Sequence, residues 1–175
     1  MKKMIKIEDS LYQEAVRLRR ELHRMPEAGD CERETTDYLM KYIKTMGLEP
    51  ILGPNGTGVI AFLEVAPGEP TLAFRADVDG LSVEERTRCD YESRNAGYMH
   101  ACGHDGHMAN LLGFMKLILS KREQLKKNFL FIFQPAEEGP GGAEPIVRSG
   151  LLERCNVEAI IGLHIYPDLT EGIVG

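Results

Sequence analysis

The stretch that decides the fold is FLFIFQPAEE, residues 129–138. Its first five residues include no polar side chain, which is typical of a central strand covered on both faces of a sheet. Gln134 and Pro135 end the apolar run, and the acidic residues Glu137 and Glu138 follow at once. We therefore predict a buried strand that brings two carboxylates to one edge of a sheet.

Three segments outside this strand have the apolar spacing of amphipathic helices. Apolar residues recur at helical intervals in residues 11–22, 32–46 and 108–119, which predicts one helix in each segment. Asp105 is expected to cap the third helix. His23 falls near the end of the first helix, where a surface or helix-end position is expected.

Short apolar segments between these helices have the character of strands. Residues 59–65 and 71–74 are separated by a turn rich in proline and glycine, which favours a hairpin between them. Residues 159–163 predict another buried strand. Because strands alternate with helices, we predict an α/β fold with a mixed, mainly parallel sheet and helices on both faces.

The densest group of metal-binding residue types is YMHACGHDGHM, residues 98–108. Three of the five histidines and one of the four cysteines fall within it. Thiolate and neutral imidazole bind borderline-soft divalent metals. Cys102 and His104 are two positions apart, so on an extended backbone they point to the same side. Taken alone, this group is also compatible with a polar loop that is merely rich in histidine.

Three further polar groups come directly after predicted strands. Ligands of α/β proteins gather beyond the carboxyl ends of the strands, and a cluster that precedes a helix in a βα unit lies at that same edge. The coincidence of four such groups predicts a metal site at this edge. The predicted site contains Asp77, Cys102, His104, Glu137, Glu138 and His164.

This set of sulfur, nitrogen and oxygen ligands favours zinc or a similar transition ion over magnesium or calcium. Neighbouring residues of an extended segment point in opposite directions, so Glu137 and Glu138 are not expected to bind one ion equally. One can bind the metal while the other acts as general base towards the water that the metal activates. A solvated acidic pair in a loop is the alternative for these two residues.

Composition excludes several other classes of function. The net charge of −6 argues against a nucleic-acid or anionic-membrane surface, and no apolar run approaches the ~20 residues that span a bilayer. Residues 1–6 are basic but no apolar segment follows, so we expect no signal peptide and a cytoplasmic location. We expect no nucleic-acid or membrane partner.

Four blocks of the sequence resemble one enzyme family. They are RADVDGL at residues 75–81, HACGHDGH at 100–107, QPAEEG at 134–139 and GLH at 162–164. RELHRMPE, at residues 20–27, also looks like the N-terminal signature of that family. The family is the amidohydrolase branch that contains hippurate hydrolase, auxin–amino-acid conjugate hydrolase and N-acetyldiaminopimelate deacetylase, within the aminoacylase and carboxypeptidase family of dinuclear metallohydrolases.

The resemblance covers essentially the whole chain and implies a zinc-exopeptidase-like catalytic domain. It implies hydrolysis of the amide bond of an N-acyl amino acid or a related small conjugate, which would be the small-molecule partner. It also implies two divalent transition-metal ions, which could be Zn, Mn, Co or Ni. The implied ligands are Cys102 as a thiolate, His104, Glu138 and His164.

The resemblance assigns other roles to neighbouring residues. Glu137 would be the general base, and Asp77 would support the site by orienting a ligand or water. A capping or turn aspartate is the alternative for Asp77. His107 has no ligand role in the family pattern, so it would pack or hydrogen-bond within the site.

Members of this family, by the resemblance, are about twice as long as this chain. A smaller domain interrupts their catalytic domain and often dimerises, and a later segment supplies one more metal-binding histidine. We therefore expect residues 1–175 to be the N-terminal portion of a catalytic domain, without the lid and dimerisation domain or the C-terminal part, and a homodimer is open to the full-length form. Two alternatives stay open: a small-peptide hydrolase of the wider family, or an inactive metal-binding fragment.

Overall fold

The computed structural model describes residues 8–139, 141–170 and 173, and the signal-peptide expectation therefore concerns residues outside the described part of the chain. The described chain forms five α-helices and one five-stranded sheet, with a 3-10 turn at Arg122–Gln124. In chain order the elements are α1 (Asp9–His23), α2 (Arg33–Thr45), β1 (Ile51–Leu52), β2 (Val59–Leu63), β3 (Thr71–Asp77), α3 (His104–Ser120), β4 (Asn128–Gln134), α4 (Ala143–Arg148), α5 (Leu151–Arg154) and β5 (Val157–Gly162).

The sheet is mixed, with the strand order β1-β2-β4-β3-β5. β3 pairs in parallel with both β4 and β5, whereas β2 runs antiparallel to β4 and to β1. The longest ladder joins β3 and β4 and places Asp77 opposite Gln134 at their carboxyl ends. The predicted α/β fold with a mixed sheet is confirmed, although only two of the four strand pairings among the described residues are parallel.

β4 is the centre of the core, as its sequence predicts, because all seven of its residues are buried. Phe129, Phe131 and Phe133 face the cluster built by α1, α2 and α3. Leu130 and Ile132 face the opposite cluster, to which α4 and α5 contribute. The alternation of side chains along the strand therefore puts helices on both faces of the sheet.

The predicted hairpin between β2 and β3 is wrong, because β4 lies between these two strands. Residues 129–133 of β4 include no polar position, so β4 needs a neighbouring strand on each edge as well as cover on both faces. β2 and β3 are those two neighbours. The Asn128 side chain accepts hydrogen bonds from the N–H groups of Val65 and Ala66 and donates to the Ala66 and Glu69 carbonyls. The turn after β2 is thereby tied to the start of β4 and not to a hairpin.

The helices begin and end close to the predicted positions, but two details differ. Asp105 lies inside the first turn of α3 and makes no cap, since the helix starts after Gly103, whose φ is +85°. Its carboxylate instead accepts hydrogen bonds from His23 and Arg19. His23 is the last residue of α1, as expected, yet only 3% of it is exposed. No helix of the described residues is both long and apolar enough to cross a membrane.

β5 is an exposed edge strand, and the expectation that residues 159–163 are buried is wrong. Ile160 is 50% exposed and Ile161 is 43% exposed. Within the described residues β5 pairs only with β3, and neither α4 nor α5 covers the side chains of its second half. An apolar strand is buried only where a second layer packs on it, and that layer cannot be read from the strand itself.

Candidate metal centre

The carboxyl ends of three strands and the start of α3 meet at one edge of the sheet. Asp77 ends β3, and the segment of Glu137 and Glu138 follows β4, which lies beside β3. His164 comes two residues after β5, on the other side of β3. The predicted residues converge in two groups whose ligand atoms lie within 4.8 Å of one another. One group is Cys102, His104 and His164; the other is His104, Glu137 and Glu138.

His104 belongs to both groups, and its ring orientation is held by Asp79. Nδ1 of His104 lies 2.9 Å from the Asp79 carbonyl oxygen and 3.1 Å from Asp79 Oδ1. These are acceptors, so Nδ1 carries the hydrogen and Nε2 presents an electron pair. Nε2 is buried without a hydrogen-bond partner in the described residues, 3.7 Å from Asp77 Oδ2 and 3.8 Å from Glu138 Oε1. An electron pair that faces two carboxylates calls for a cation between them.

The surroundings of Cys102 favour the protonated thiol over the thiolate unless a positive charge is added nearby. Its Sγ lies 3.4 Å from His164 Nε2. Burial, and then the hydrogen bond and charge of Glu138, raise the pKa of Cys102 to about 12. A thiol with that pKa becomes a thiolate at neutral pH only when a metal ion replaces its proton. The donor set therefore accumulates negative charge that a divalent ion would neutralise.

The spacing of the donor atoms fits such an ion. Nitrogen and oxygen ligands lie about 2.0–2.2 Å from zinc and sulfur about 2.3 Å, so two nitrogen or oxygen ligands of one ion are at most about 4.4 Å apart, and a sulfur ligand and a nitrogen or oxygen ligand are at most about 4.5 Å apart. The 3.4 Å between Cys102 and His164 and the 3.8 Å between His104 and Glu138 both satisfy this limit. These four residues can hold a metal, and their thiol and imidazole groups favour a transition ion.

The acidic pair is aimed at His104 by a strained turn. Ala136 has a φ of +51°, in the left-handed region, which costs about 1–2 kcal/mol for a residue with a Cβ. The buried Glu32 carboxylate accepts the Ala136 N–H at 2.7 Å, and Asp79 Oδ2 accepts the Glu138 N–H at 2.9 Å. A Cβ on Gly29 would lie 2.9 Å from the Ala136 Cα, so this turn needs a glycine beside it. These contacts hold both carboxylates at the edge of the site, exposed to solvent.

Asp77 is buried beneath the site and is fully hydrogen-bonded. Its Oδ1 accepts a hydrogen bond from His107 Nδ1 at 2.6 Å, and its Oδ2 accepts one from Arg75 at 2.8 Å. Burial alone would raise the pKa of Asp77. The hydrogen bond from His107 and the charges of His104 and Arg75 outweigh burial and lower that pKa to about 2. Asp77 is therefore an ionised carboxylate that faces His104 from below.

His107 uses both ring nitrogens within the protein. Nδ1 donates to Asp77, and Nε2 accepts the backbone N–H of Ile165 at 3.0 Å. No lone pair remains for a metal, which agrees with the absence of a ligand role in the family pattern. Because Ile165 follows His164 directly, His107 connects α3 with the segment that carries the last candidate ligand.

Asp79 is the main residue of the site that the sequence analysis missed. It is 1% exposed and joins His104 to the Glu138 backbone. Its signal was present in the sequence: it lies two residues after Asp77 in the block RADVDGL. Glu32 was also missed, because a glutamate at the start of a predicted helix resembles an ordinary surface residue.

Comparisons with known proteins agree with this geometry. Residues 73–175 match Peptidase family M20/M25/M40. An N-acetyldiaminopimelate deacetylase of Bacillus velezensis is 41% identical over 160 residues, which is 91% of this chain and 42% of that protein. An uncharacterized hydrolase of Staphylococcus epidermidis is 43% identical over 156 residues, which is 88% of this chain and 40% of that protein.

Among solved structures, the YXEP protein of Bacillus subtilis has the same fold. Its TM-score is 0.87 at 37% identity, over 93% of this chain and 45% of that chain, and it is described as a dinuclear metal binding peptidase from the M20 family. The chain thus spans less than half the length of each of these relatives. Since the family match covers more than half of the chain, this chain belongs to peptidase family M20/M25/M40, as the four resembling blocks predict.

Proposed function

We propose that this chain carries the metal centre of a metal-dependent amidohydrolase. The observation that supports this most directly is the buried Nε2 of His104, whose electron pair faces Glu138 and Asp77. Cys102 and His164 complete a convergent donor set beside it. The substrate class that we propose is an N-acyl amino acid or a related small conjugate, and the relatives named N-acetyldiaminopimelate deacetylase support that class.

The proposed ligands of two divalent transition ions are Cys102, His104, Glu138 and His164. His104 has one available electron pair and would bind a single ion, whereas the thiolate of Cys102 could bridge the two; Zn, Mn, Co and Ni all suit the donors. When bound, the ions would activate a water molecule and polarise the amide carbonyl. The buried Asp79 keeps Nδ1 of His104 protonated, so that Nε2 is the atom available for binding.

Glu137 is the proposed general base. It is exposed at the mouth of the site, next to Glu138 in sequence, and its carboxylate lies within 4.8 Å of the nearest His104 ring nitrogen. With Glu138 as a ligand, Glu137 is free to take a proton from the attacking water and to return it to the leaving amide nitrogen. Asp77 is a positioning residue in this scheme, since His107 and Arg75 already bond to both of its oxygens.

We also propose three properties of the whole protein. Residues 1–175 would be the N-terminal portion of a catalytic domain, the full-length form would be open to dimerisation, and the protein would be cytoplasmic. The relatives are more than twice as long as the matched segments, which supports the first of these. Sequencing of the gene around the segment that encodes residues 1–175 tests the first proposal, sedimentation of the full-length form tests the second, and subcellular fractionation tests the third.

The decisive test of the function compares Glu137→Gln with Glu138→Gln. Glu137→Gln should keep the metal content of the wild type and lose turnover, whereas Glu138→Gln should lose metal because it removes a ligand. Hydrolysis is measured on N-acetyl, benzoyl and dipeptide substrates. Turnover in Glu137→Gln close to that of the wild type would sink the assigned base.

The substrate panel separates the remaining alternatives. Faster hydrolysis of dipeptides than of acyl amino acids would favour a small-peptide hydrolase. Two bound ions with no hydrolysis of any substrate would favour a metal-binding chain without activity.

A further inference from the structure

A second group of metal-binding side chains lies between the end of α1 and the loop of residues 82–98. It consists of His23, Glu85 and Cys89, whose ligand atoms lie within 4.8 Å of one another. His23 comes from α1, and the other two come from the 82–98 loop. None of the three belongs to the donor set proposed above, so the group needs its own explanation.

The ring of His23 is held between two carboxylates. Its Nδ1 lies 2.7 Å from Asp105 Oδ2, and its Nε2 lies 3.0 Å from Glu85 Oε1. All three side chains are nearly inaccessible, with exposures of 1–4%. The bond to Asp105 places the ring hydrogen on Nδ1, which leaves an electron pair on Nε2 facing a carboxylate oxygen. Positive charge is needed between these two atoms, and either a second ring proton or a metal ion can supply it; the hydrogen bonds to Asp105 and Glu85 accordingly raise the pKa of His23.

Cys89 offers a third donor to the same position. Its Sγ lies 3.9 Å from Glu85 Oε1, which is within the separation allowed for two ligands of one zinc ion, at most about 4.5 Å. Cys89 is only partly buried, so solvent and ions can reach the group from its side. Without a metal, a second proton on His23 Nε2 satisfies the electron pair and the Cys89 thiol donates to Glu85 Oε1, while the Thr87 hydroxyl lies 3.3 Å from Cys89 Sγ. A divalent ion would replace both of those protons and bind all three donors.

We propose that His23, Glu85 and Cys89 bind one divalent transition-metal ion, such as Zn²⁺, at a site separate from the candidate metal centre. The sulfur, nitrogen and oxygen donors suit zinc, with a water as the fourth ligand. Asp105 fixes the ring of His23 from behind, which is the arrangement that orients metal-binding histidines in general. Arg19 holds Asp105 in turn, with its Nε 2.7 Å from Asp105 Oδ2.

The role of this ion is to fasten the 82–98 loop to α1. The loop contains no helix or strand, and loops longer than about 12–15 residues without such elements are uncommon in compact domains. Its ends are closed by the pairing of Leu81 with Met99, and its interior is held by hydrogen bonds such as that from the Ser93 N–H to Glu85 Oε2 at 2.7 Å. One ion bound by His23 and two loop residues would cross-link the loop to the helix.

The test is a cobalt titration of the full chain after removal of metals with a chelator. Cobalt bound to a thiolate gives a charge-transfer absorption band, and Cys102→Ser removes the thiolate of the candidate metal centre. The band should therefore persist in Cys102→Ser. It should be lost in the double variant Cys102→Ser/Cys89→Ser and kept in the matched control Cys102→Ser/Cys31→Ser. Absence of the band from Cys102→Ser, or its survival without Cys89, overturns the proposal.

A measurement on the wild-type chain keeps the proposal testable if a variant does not fold. The rate at which each cysteine is alkylated is followed by mass spectrometry with and without added zinc. Zinc should slow the alkylation of Cys89 and leave that of the exposed Cys31 unchanged. Unchanged alkylation of Cys89 at saturating zinc means that a proton, and not a metal, occupies the gap beside His23.

Discussion

Replacement of His107 separates the two contacts by which it links α3 to the His164 segment. Asparagine places its amide nitrogen near the position of Nδ1, so His107→Asn can still donate to Asp77 but cannot reach the Ile165 N–H. Glutamine places its amide oxygen near the position of Nε2, so His107→Gln can still accept from Ile165 but loses Asp77. The two variants differ by one methylene group and are controls for each other.

The expected losses of metal affinity and of stability follow from the strengths of the two hydrogen bonds of His107. The Ile165 bond joins neutral groups at 3.0 Å and is worth about 0.5–1.5 kcal/mol. At about 1.4 kcal/mol per tenfold, its loss in His107→Asn should weaken metal binding about 2-fold to 12-fold, because His164 is then less well ordered before binding. The Asp77 bond involves an ionised carboxylate, so His107→Gln should lose about 1.5–3 kcal/mol of unfolding free energy.

The assay measures metal affinity by chelator competition and stability by urea unfolding of the metal-free chain. Every variant also carries Cys89→Ser, so that only the candidate metal centre contributes. The expected result is a crossed pattern: His107→Asn loses more affinity and His107→Gln loses more stability. Wild-type affinity in His107→Asn, or equal losses of affinity in both variants, would refute the link between His107 and His164.

Three other changes test the framework of the site. Burial raises the pKa of Glu32, so the wild-type protein loses folding free energy as pH rises through that raised pKa. Urea unfolding should therefore show that Glu32→Gln is more stable, relative to the wild type, in mildly alkaline buffer than in acid. A Cβ on Gly142 would overlap a backbone oxygen, so Gly142→Ala should lower the unfolding free energy by about 1–3 kcal/mol, whereas Gly139→Ala, with open space around it, should be nearly neutral. Asp79→Ala removes an acceptor of His104, and chelator competition should show metal affinity falling about 10- to 100-fold; wild-type affinity would contradict the positioning role.

Local sequence patterns predicted the central strand and the helices well. β4 has no polar position and is buried throughout, because an apolar strand of that length is stable only with cover on both faces. The helices start and stop near the expected residues since their apolar spacing and their glycines act over a few residues. Strand pairing was predicted less well: nothing within residues 59–74 reveals that β4, more than fifty residues later, lies between β2 and β3.

The residues of the candidate site also fall into those that local sequence predicted and those that depend on distant parts of the chain. Asp77, Cys102, His104, Glu137, Glu138 and His164 were predicted to meet, because strand ends in an α/β sheet share one edge. Of the residues that hold them in place, the sequence predicted only that His107 would pack or hydrogen-bond within the site; Asp79 and Glu32 were not predicted. Asp79, Glu32 and His107 act through hydrogen bonds to partners between 25 and 104 positions away.

The sequence by itself determined the fold class, the edge at which the ligands gather and the chemical type of the donors, since these follow from local periodicity and from the residues at strand ends. Only the tertiary structure decided which strands are neighbours and whether β5 is covered. It also decided that His23 is buried between Asp105 and Glu85 and that His107 is committed to protein contacts. Those features depend on distances between residues remote in the chain, which packing of the whole domain sets and no local pattern encodes.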